Sequence, residues 1–234
     1  MRGMPRKTYL RMSSQMSMVS SIKAVLPKRR RGFDRVEAIL NTGITLFAER
    51  DYATVTMTEI AARSATAIGS LYRFFPTKEA LAAAILDRYG TLLIGALDQV
   101  VAGVEGMTAA QVADAVVSLM RDLKHERAAA LALIGVQKNG SAIRLALQTD
   151  MIARLTAILK ARSPAPASTS MEAQAWLLLY TLKAIRSLDQ DRPDLAAEVE
   201  ADGRRLIEFY IGRAWSGQSQ SGAEDGQAAV RSGL

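Results

Sequence analysis

The chain has 234 residues, of which 49% are hydrophobic but only 6% aromatic, and it carries a formal net charge of +7 with no cysteine and one histidine. The lack of Cys excludes disulfides, thiolate metal sites and thiol catalysis, and a single His leaves no histidine cluster for a metal. A composition dominated by Ala and Leu predicts an all-α fold.

Positive charge is concentrated at the start of the sequence. Residues 1–31 contain nine Arg or Lys and no acid, which leaves 21 basic and 23 acidic residues in the rest of the chain, a balance of −2. Because this segment lacks sustained apolar periodicity, it is predicted to be a disordered basic arm. Three interpretations stay open: an arm that contacts DNA, an organelle transit peptide, or a stretch partly outside the translated protein, since four internal Met residues are possible starts.

Helical periodicity begins at Phe33 and predicts a first helix to about Arg50. After a break at 51–53, Thr56 and Glu59 form a predicted capping box. In it, the Thr56 hydroxyl accepts the Glu59 amide and the Glu59 carboxylate accepts the Thr56 amide. A second helix of about two turns therefore starts here and is expected to end near Ser64.

A third short helix is predicted from about Ile68, and Pro76 ends it. Thr77 then caps a fourth helix, from Lys78 to about Val101. Apolar spacings of three and four predict further helices at about 108–124, 126–138, 141–161, 171–189 and 193–214. The stretch 163–170 has linker composition, and the chain from residue 216 is predicted to be disordered.

Two short helices around a tight turn, followed by a long helix, are typical of a helix-turn-helix whose second helix enters the major groove. Here they lie in the run TMTEIAARSATAIGSLYRFFPTKEAL, from Thr56 to Leu81. This run resembles the DNA-binding segment of the TetR family of transcriptional regulators, and residues 39–52 resemble that family's first helix and turn. The most diagnostic part is a spaced set of five residues, Gly69, Leu71, Tyr72, Phe75 and Lys78.

The turn before the third helix departs from the family pattern. Members usually carry Ala-Gly-Val-Ser, whereas this chain has Ser64-Ala65-Thr66-Ala67. The usual Gly and the usual Ser cap of the third helix are both lost. Thr66 is then the residue available to cap this helix, one position before the family's Ser, and Ala65 must adopt the conformation that Gly normally takes. Asp51 stands for the common Gly of the first loop and tolerates left-handed geometry. We expect these changes to alter operator geometry and not the fold.

The resemblance implies that residues around the third helix bind DNA. A Gly at position 69 lets the helix approach the duplex closely, and Tyr72 and Lys78 are placed to contact phosphates. Ile68 is expected against a thymine methyl, and Arg73 toward guanine or a phosphate. The predicted DNA-binding set is Thr56, Thr66, Ala67, Ile68, Gly69, Ser70, Tyr72, Arg73, Phe74 and Lys78. A core position is the alternative for Phe74, and a merely solvated position is the alternative for Arg73 and Lys78.

Composition predicts the basic arm over 1–31 and the disordered tail over 216–234. The resemblance implies that the chain between them forms a three-helix DNA-binding domain with a helix-turn-helix over 32–78 and a helical-bundle ligand-binding and dimerisation domain over 79–215. It also implies a homodimer on double-stranded operator DNA and a small-molecule effector. A dimer is expected on physical grounds as well, because one short helix-turn-helix makes too few contacts for specific affinity.

Two residue sets in the second domain are candidates for these partners. The predicted dimer interface is Trp176, Tyr180, Leu206, Phe209 and Tyr210, for which packing within one chain is the alternative. The predicted effector site is a mainly apolar set, Leu93, Leu97, Met120, His125, Leu133, Gln137, Met151 and Trp176. Core packing is the alternative for its Met residues, and an exposed position is the alternative for His125.

These features predict a cytoplasmic DNA-binding regulator, a repressor released by a small-molecule effector. We expect no enzymatic activity, metal or cofactor, because the sequence has no Gly-rich phosphate loop and no metal-ligand spacing. We expect no membrane contact, because charged residues interrupt every apolar run of spanning length. The alternative function is a helical adaptor that binds a protein or membrane partner through the basic arm.

Overall fold

A computed structural model describes residues 30–164 and 169–216. Within these ranges the chain forms nine α-helices, one 3-10 turn and no strand, which confirms the predicted all-α fold. The helices are α1 (Arg30–Glu49), α2 (Met57–Arg63), α3 (Ile68–Phe74), α4 (Lys78–Gly103), α5 (Ala109–Asp122), α6 (Lys124–Val136), α7 (Gly140–Lys160), α8 (Thr169–Asp191) and α9 (Ala196–Ser216).

The helix boundaries follow the apolar periodicity of the sequence, with a difference at the start. Helix α1 begins at Arg30 and not at Phe33, so Arg30 and Arg31 are helical and the prediction that they belong to a disordered arm is wrong. Ser216 is the last residue of α9, so the prediction that the disordered tail starts at this residue is wrong. The remainder of the predicted arm, residues 165–168 of the linker and residues 217–234 lie outside the described residues.

The helices divide into two compact units. The described part of the first unit comprises 30–98 and 118–151, and that of the second comprises 99–117, 152–164 and 169–216. The boundary predicted between residues 78 and 79 stays a prediction.

In the first unit, α1 is the helix against which α2, α3 and α6 pack. Its inner face buries Ile39, Leu46 and Phe47 completely or nearly so. A Cβ added at Gly43 would lie 2.9 Å from Ile85 Cδ1, so α1 and α4 approach each other closely at this position. The close approach fixes α4 directly behind the helix-turn-helix.

In the second unit, α8 packs along α9 around a similar close contact. Arg186 of α8 is almost fully buried and pairs with Glu200 of α9 at 2.6 Å. Arg204 binds the same carboxylate at 3.0 Å and also pairs with Asp114 of α5. A buried guanidinium needs such partners, because an isolated charge in the interior is strongly destabilising. These ion pairs therefore fix α5, α8 and α9 to one another.

The end of α9 is attached to α7 by Trp215. Its indole N–H donates to the Ile158 carbonyl at 3.0 Å, and the Arg162 guanidinium lies 4.7 Å from the Trp215 ring centroid. Arg162 also donates to the Met107 carbonyl at 2.9 Å. The last turn of α7 is thus connected both to α9 and to the turn before α5.

One helical stretch, Lys78–Gly106, is long and apolar enough to cross a membrane by length and composition. The expectation that charged residues interrupt every such stretch holds for this one, because Asp87 and Arg88 lie within it. Half of its most apolar 18-residue window is buried inside the structure.

Two glycines of α9 give a matched test of the α8–α9 contact. A Cβ at Gly203 would lie 2.4 Å and 2.7 Å from Cδ1 and Cγ1 of Ile185, whereas a Cβ at Gly212 would meet nothing closer than 3.8 Å. We expect Gly203→Ala to lower the free energy of unfolding by about 1–2 kcal/mol, because overpacking exceeds the gain in helix propensity. Gly212→Ala meets no such close contact, so the gain in helix propensity should raise the free energy of unfolding by up to about 1 kcal/mol. Urea unfolding measures both, and equal stabilities would contradict the close contact.

Candidate nucleic-acid interface

Helix α2 begins with one half of the predicted capping box. The Thr56 hydroxyl accepts the Glu59 amide at 3.1 Å, as predicted. The Glu59 carboxylate does not complete the box but pairs with Arg50 at 2.7 Å and Arg63 at 3.1 Å. Both arginines are substantially exposed, and neither is in the DNA-binding set predicted from the sequence. The spacing of four between Glu59 and Arg63 is a usable signal for the second pair, whereas Arg50 comes from the end of α1.

The turn between α2 and α3 closes as a Schellman motif. The Thr66 amide donates to the Ala61 carbonyl at 2.9 Å, and the Ala65 amide donates to the Ala62 carbonyl at 3.2 Å. Ala65 has a φ of 50°, the left-handed conformation that this motif requires and that usually selects Gly. The prediction that Ala65 takes over the conformation of the family's glycine is confirmed.

Thr66 does not cap α3, so that prediction is wrong. The N-cap is Ala67, which has no side-chain acceptor for the first amides of the helix. The Thr66 side chain is only 7% exposed, and its hydroxyl donates to the Ser64 carbonyl at 3.2 Å. Thr66 therefore stabilises the turn from its inner side and does not face outward as its place in the DNA-binding set requires.

Helix α3 has one buried and one exposed face. Leu71 is fully buried and Phe74 is 4% exposed, so of the two alternatives for Phe74 the structure supports the core position and not the place in the DNA-binding set. Ile68 and Tyr72, one turn apart, are 42% and 46% exposed. The structure thus brings six members of the predicted set to the turn and outer side of α3, with Ser70 partly covered: Ala67, Ile68, Gly69, Ser70, Tyr72 and Arg73.

Gly69 lies in the middle of this exposed face without an internal reason to be glycine. A Cβ added there would meet nothing within 4 Å, and the backbone is helical. Gly costs about 1 kcal/mol relative to Ala inside a helix. The protein therefore carries a destabilising residue at a position where its own packing would accept a side chain.

Lys78 is engaged within the protein. Its amine donates to the Tyr52 carbonyl and lies 4.1 Å from the Tyr52 ring centroid. Burial lowers the pKa of Lys78, and the neighbouring Glu79 opposes this shift. The Tyr52 hydroxyl donates to Glu79 Oε1 at 3.3 Å, and burial together with this carboxylate raises the pKa of Tyr52 to about 12. Lys78 thus attaches the loop after α1 to the start of α4, and its phosphate contact stays a prediction.

Thr77 starts α4 as predicted. Its hydroxyl accepts the Ala80 amide at 3.1 Å. Phe75, directly before Pro76, is also buried, so the buried side of α3 extends into the link between α3 and α4. The direction in which α3 points is therefore set by buried aromatic rings on one side and a capped helix start on the other.

The predicted effector residues do not all fall in one unit. Seven of them lie in the first unit and Trp176 lies in the second. His125 is exposed, Gln137 and Trp176 are half-buried, and the others are buried: Leu93, Leu97, Met120, Leu133 and Met151. A cleft of about 530 Å³ lies elsewhere in the first unit, between the end of α1 and the residues Ala132 and Val136 of α6. The effector set stays a prediction.

The predicted dimer residues are aromatic or apolar and largely exposed. Tyr180 and Phe209 are 56% and 58% exposed, Leu206 is exposed, and Trp176 and Tyr210 are half-buried. Trp176 stacks on Tyr180 with ring centroids 6.1 Å apart, and Phe209 contacts Tyr210 edge-on at 5.6 Å. Intrachain packing therefore leaves much of this set, on α8 and α9, uncovered.

Within the described ranges, no group of three or more His, Asp or Glu side chains is arranged to hold a metal ion.

Residues 39–85 match a family model described as "Bacterial regulatory proteins, tetR family". The chain is also 46% identical over 56 residues to the HTH-type transcriptional repressor Rv3405c of Mycobacterium tuberculosis and to the HTH-type transcriptional regulator Mb3439c of Mycobacterium bovis. Each match covers 24% of this chain and 30% of the relative, so the chain spans less than a third of the length of these relatives.

Solved structures resemble a larger part of the chain. A transcriptional regulator (TerR/AcrR family) from Aquifex aeolicus has a TM-score of 0.59 at 18% identity, covering 75% of this chain and 98% of that one. A TetR-like transcriptional regulator from Rhodococcus has a TM-score of 0.56 at 20% identity, covering 83% and 100%. At these identities the likeness concerns the fold.

The left-handed turn residue gives a test of the interface geometry. We expect Ala65→Gly to raise the free energy of unfolding by about 1 kcal/mol, because Gly adopts a positive φ without the steric cost of a Cβ. Ala62→Gly, on the exposed side of α2, is the matched control and is expected to lower it by about 1 kcal/mol. Thermal unfolding measures the stability of both variants against the wild-type chain. If both substitutions lowered the stability, residue 65 would not take the left-handed conformation in solution.

Proposed function

We propose that this chain, whose residues 39–85 match the model of the TetR family of bacterial regulatory proteins, is a transcriptional regulator that binds operator DNA through the exposed face of α3. The observation that carries the proposal is Gly69. Its missing side chain serves no packing within the protein, but it lets the backbone of a helix approach a partner closely. The adaptor alternative has no comparable support.

The residues beside Gly69 supply the chemistry of groove recognition. Ile68 offers a methyl surface for a thymine methyl group, and Arg73 a guanidinium for guanine or a phosphate. The Tyr72 hydroxyl is free to donate to a phosphate from its half-exposed position. Such phosphate contacts fix the register of the helix, and the contacts to base edges provide sequence specificity.

The end of α2 adds further positive charge. Arg50 and Arg63 flank Glu59 and remain substantially exposed while paired with it. A surface ion pair contributes little stability, about 0–1 kcal/mol, so either guanidinium can turn toward a phosphate at small cost. The Thr56 hydroxyl can also donate a hydrogen bond to a phosphate, because in the helix cap its oxygen acts only as an acceptor.

A homodimer formed through α8 and α9 would supply two recognition helices. Exposed aromatic and aliphatic side chains cluster there, in the composition that marks protein interfaces. A two-fold dimer contacts two half-sites about 34–36 Å apart, which gives the affinity that a single short helix cannot. This surface is therefore the proposed dimer interface.

Repression released by a small molecule is the proposed mode of action in the cytoplasm. The relative from Mycobacterium tuberculosis is named a repressor, and a dimer bound at a promoter occludes it. An effector could bind more tightly to a conformation in which the two recognition helices no longer match the spacing of the half-sites. Such an effector would shift the dimer population away from the DNA-binding conformation. The largely buried apolar set around Leu93 and Leu133 is the proposed effector site.

The role of Gly69 predicts opposite effects on folding and on DNA binding. We expect Gly69→Ala to stabilise the fold by up to about 1 kcal/mol, because Ala favours the helix. We also expect roughly tenfold weaker operator binding, equivalent to about 1.4 kcal/mol, because the methyl group separates α3 from the duplex. Duplexes selected from the source genome by the wild-type chain are the probe, measured by fluorescence anisotropy.

Gly95 in α4 provides the matched control. A Cβ added at this exposed glycine would also meet nothing within 4 Å. Gly95→Ala should therefore also stabilise the fold and leave DNA binding unchanged. If Gly69→Ala and Tyr72→Phe both kept tight, sequence-specific binding, the exposed face of α3 would not be the DNA-binding surface.

Negatively charged substitutions test the proposed dimer interface. We expect Tyr180→Glu combined with Phe209→Glu to convert the dimer into a monomer, because burying two carboxylates in an apolar interface is strongly unfavourable. Leu145→Glu, at a 61% exposed residue of α7 in the first unit, is the control and should leave the dimer intact. Sedimentation velocity distinguishes the species. A dimer that survives the double substitution would exclude this surface.

A further inference from the structure

The cleft of about 530 Å³ in the first unit is not used by the proposed function. It lies between the end of α1, the loop that follows it and one side of α6. Its volume falls in the range of small-molecule sites in proteins, about 300–1,000 Å³. None of the predicted effector residues lines this cleft, so it is separate from the proposed effector site.

Part of the cleft lining is apolar and accessible. Ala132 and Val136, one turn apart on α6, line the cleft, and Val136 is 54% exposed. Phe47 and Ala48 of α1 also line it. Covering these side chains with the apolar body of a ligand would remove hydrophobic surface from water and stabilise the complex.

The loop side of the cleft is held in one conformation by its own contacts. The amide and the hydroxyl of Thr54 donate to the Asp51 carbonyl at 3.0 Å and 2.9 Å. The Tyr52 ring lies 5.5 Å from the Phe47 ring, and the Lys78 amine donates to the Tyr52 carbonyl. Because this wall is formed in advance, a ligand loses little affinity to the ordering of the site.

The charge of the lining is negative. The carboxylates of Glu49 and Asp51 are exposed, and neither forms an ion pair or a side-chain hydrogen bond among the residues described. Arg50 also lines the cleft, but its guanidinium is paired with Glu59 at 2.7 Å. The excess of negative charge is complementary to a positively charged ligand.

Backbone stability does not explain these two acids. Glu49 is the last residue of α1, where a negative charge is unfavourable to the helix dipole. Asp51 begins the loop without using the left-handed conformation that Asp tolerates, because Ala65 is the one non-glycine residue with a positive φ in the described part of the chain. Both carboxylates thus stand beside the cleft at positions where the fold gains nothing from them.

We propose that this cleft binds a small organic cation. Its charged group lies beside the carboxylates of Glu49 and Asp51, and its apolar body covers Ala132 and Val136. The inference goes beyond the proposed function and does not depend on it, because the site can be occupied whether or not the chain binds DNA.

A matched series of three probes tests the preference for a cation. Phenylbutylammonium, phenylbutanol and phenylbutyrate share one apolar body and carry a positive, a neutral or a negative head group. Affinities for the full chain are measured by NMR titration of labelled valine methyl groups, with the Val136 signals assigned from a Val136→Ala variant. We expect the ammonium to bind about fivefold more tightly than the alcohol, because two exposed ion pairs each contribute modestly, and the carboxylate to bind most weakly.

Two variants of the cleft should change this pattern in different ways. Glu49→Gln combined with Asp51→Asn should weaken binding of the ammonium about fivefold, to the level of the alcohol, and leave the alcohol unchanged. Ala132→Trp fills the cleft from an exposed position of α6, so it should abolish binding of all three probes.

Each variant has a control outside the cleft. Glu105→Gln combined with Asp122→Asn removes the same charge at two exposed acids, and Ala146→Trp adds the same ring at an exposed position of α7. Both controls should keep the wild-type affinities, and thermal unfolding should show all four variants folded.

Four results would overturn the proposal. These are equal affinity for the ammonium and the alcohol, tighter binding of the carboxylate, Val136 methyl signals that do not shift on binding, and an equal loss of preference in the charge control. None of them concerns DNA binding, so the proposed function would stand or fall separately on the Gly69→Ala measurement.

Discussion

The burial of Leu71 and Phe74 is the constraint on which the orientation of helix α3 and of its exposed face depends. Helix α3 has seven residues and no side-chain cap, and a helix of that length is not stable alone in water. Burying each of these side chains contributes about 1.5–3 kcal/mol, which holds the helix against α1 and α2. Because the inner face is fixed in this way, the outer face is held in one orientation before any partner arrives.

Much of this arrangement could be predicted from the sequence, because its signals are local. The apolar spacing that defines each helix is repeated every three or four residues, and the caps at Thr56 and Thr77 lie within three residues of the amides they bind. The left-handed turn at Ala65 could be predicted because the family's glycine marks the same position. Such features depend on neighbours in sequence, so sequence reasoning captures them.

The errors lie where tertiary contacts decide. Phe74 is placed in the DNA-binding set by its position in the sequence, and sequence alone could not show that its side chain is buried to 4% exposure. Thr66 has a hydroxyl suited to capping, but the Schellman turn directs it back to the Ser64 carbonyl. The sequence likewise could not show that the Lys78 amine donates to the carbonyl of Tyr52, 26 residues away, although its phosphate contact stays a prediction.

The complete division of α3 into two faces has a consequence for how such a protein can change over generations. The side chains that hold the helix and those that project from it are different residues, so exchanges at Ile68, Ser70, Tyr72 and Arg73 remove little of the buried surface. Duplicated copies of the gene can therefore diverge at the exposed face of α3, while the hydrophobic core, and with it the stability of the fold, is inherited unchanged.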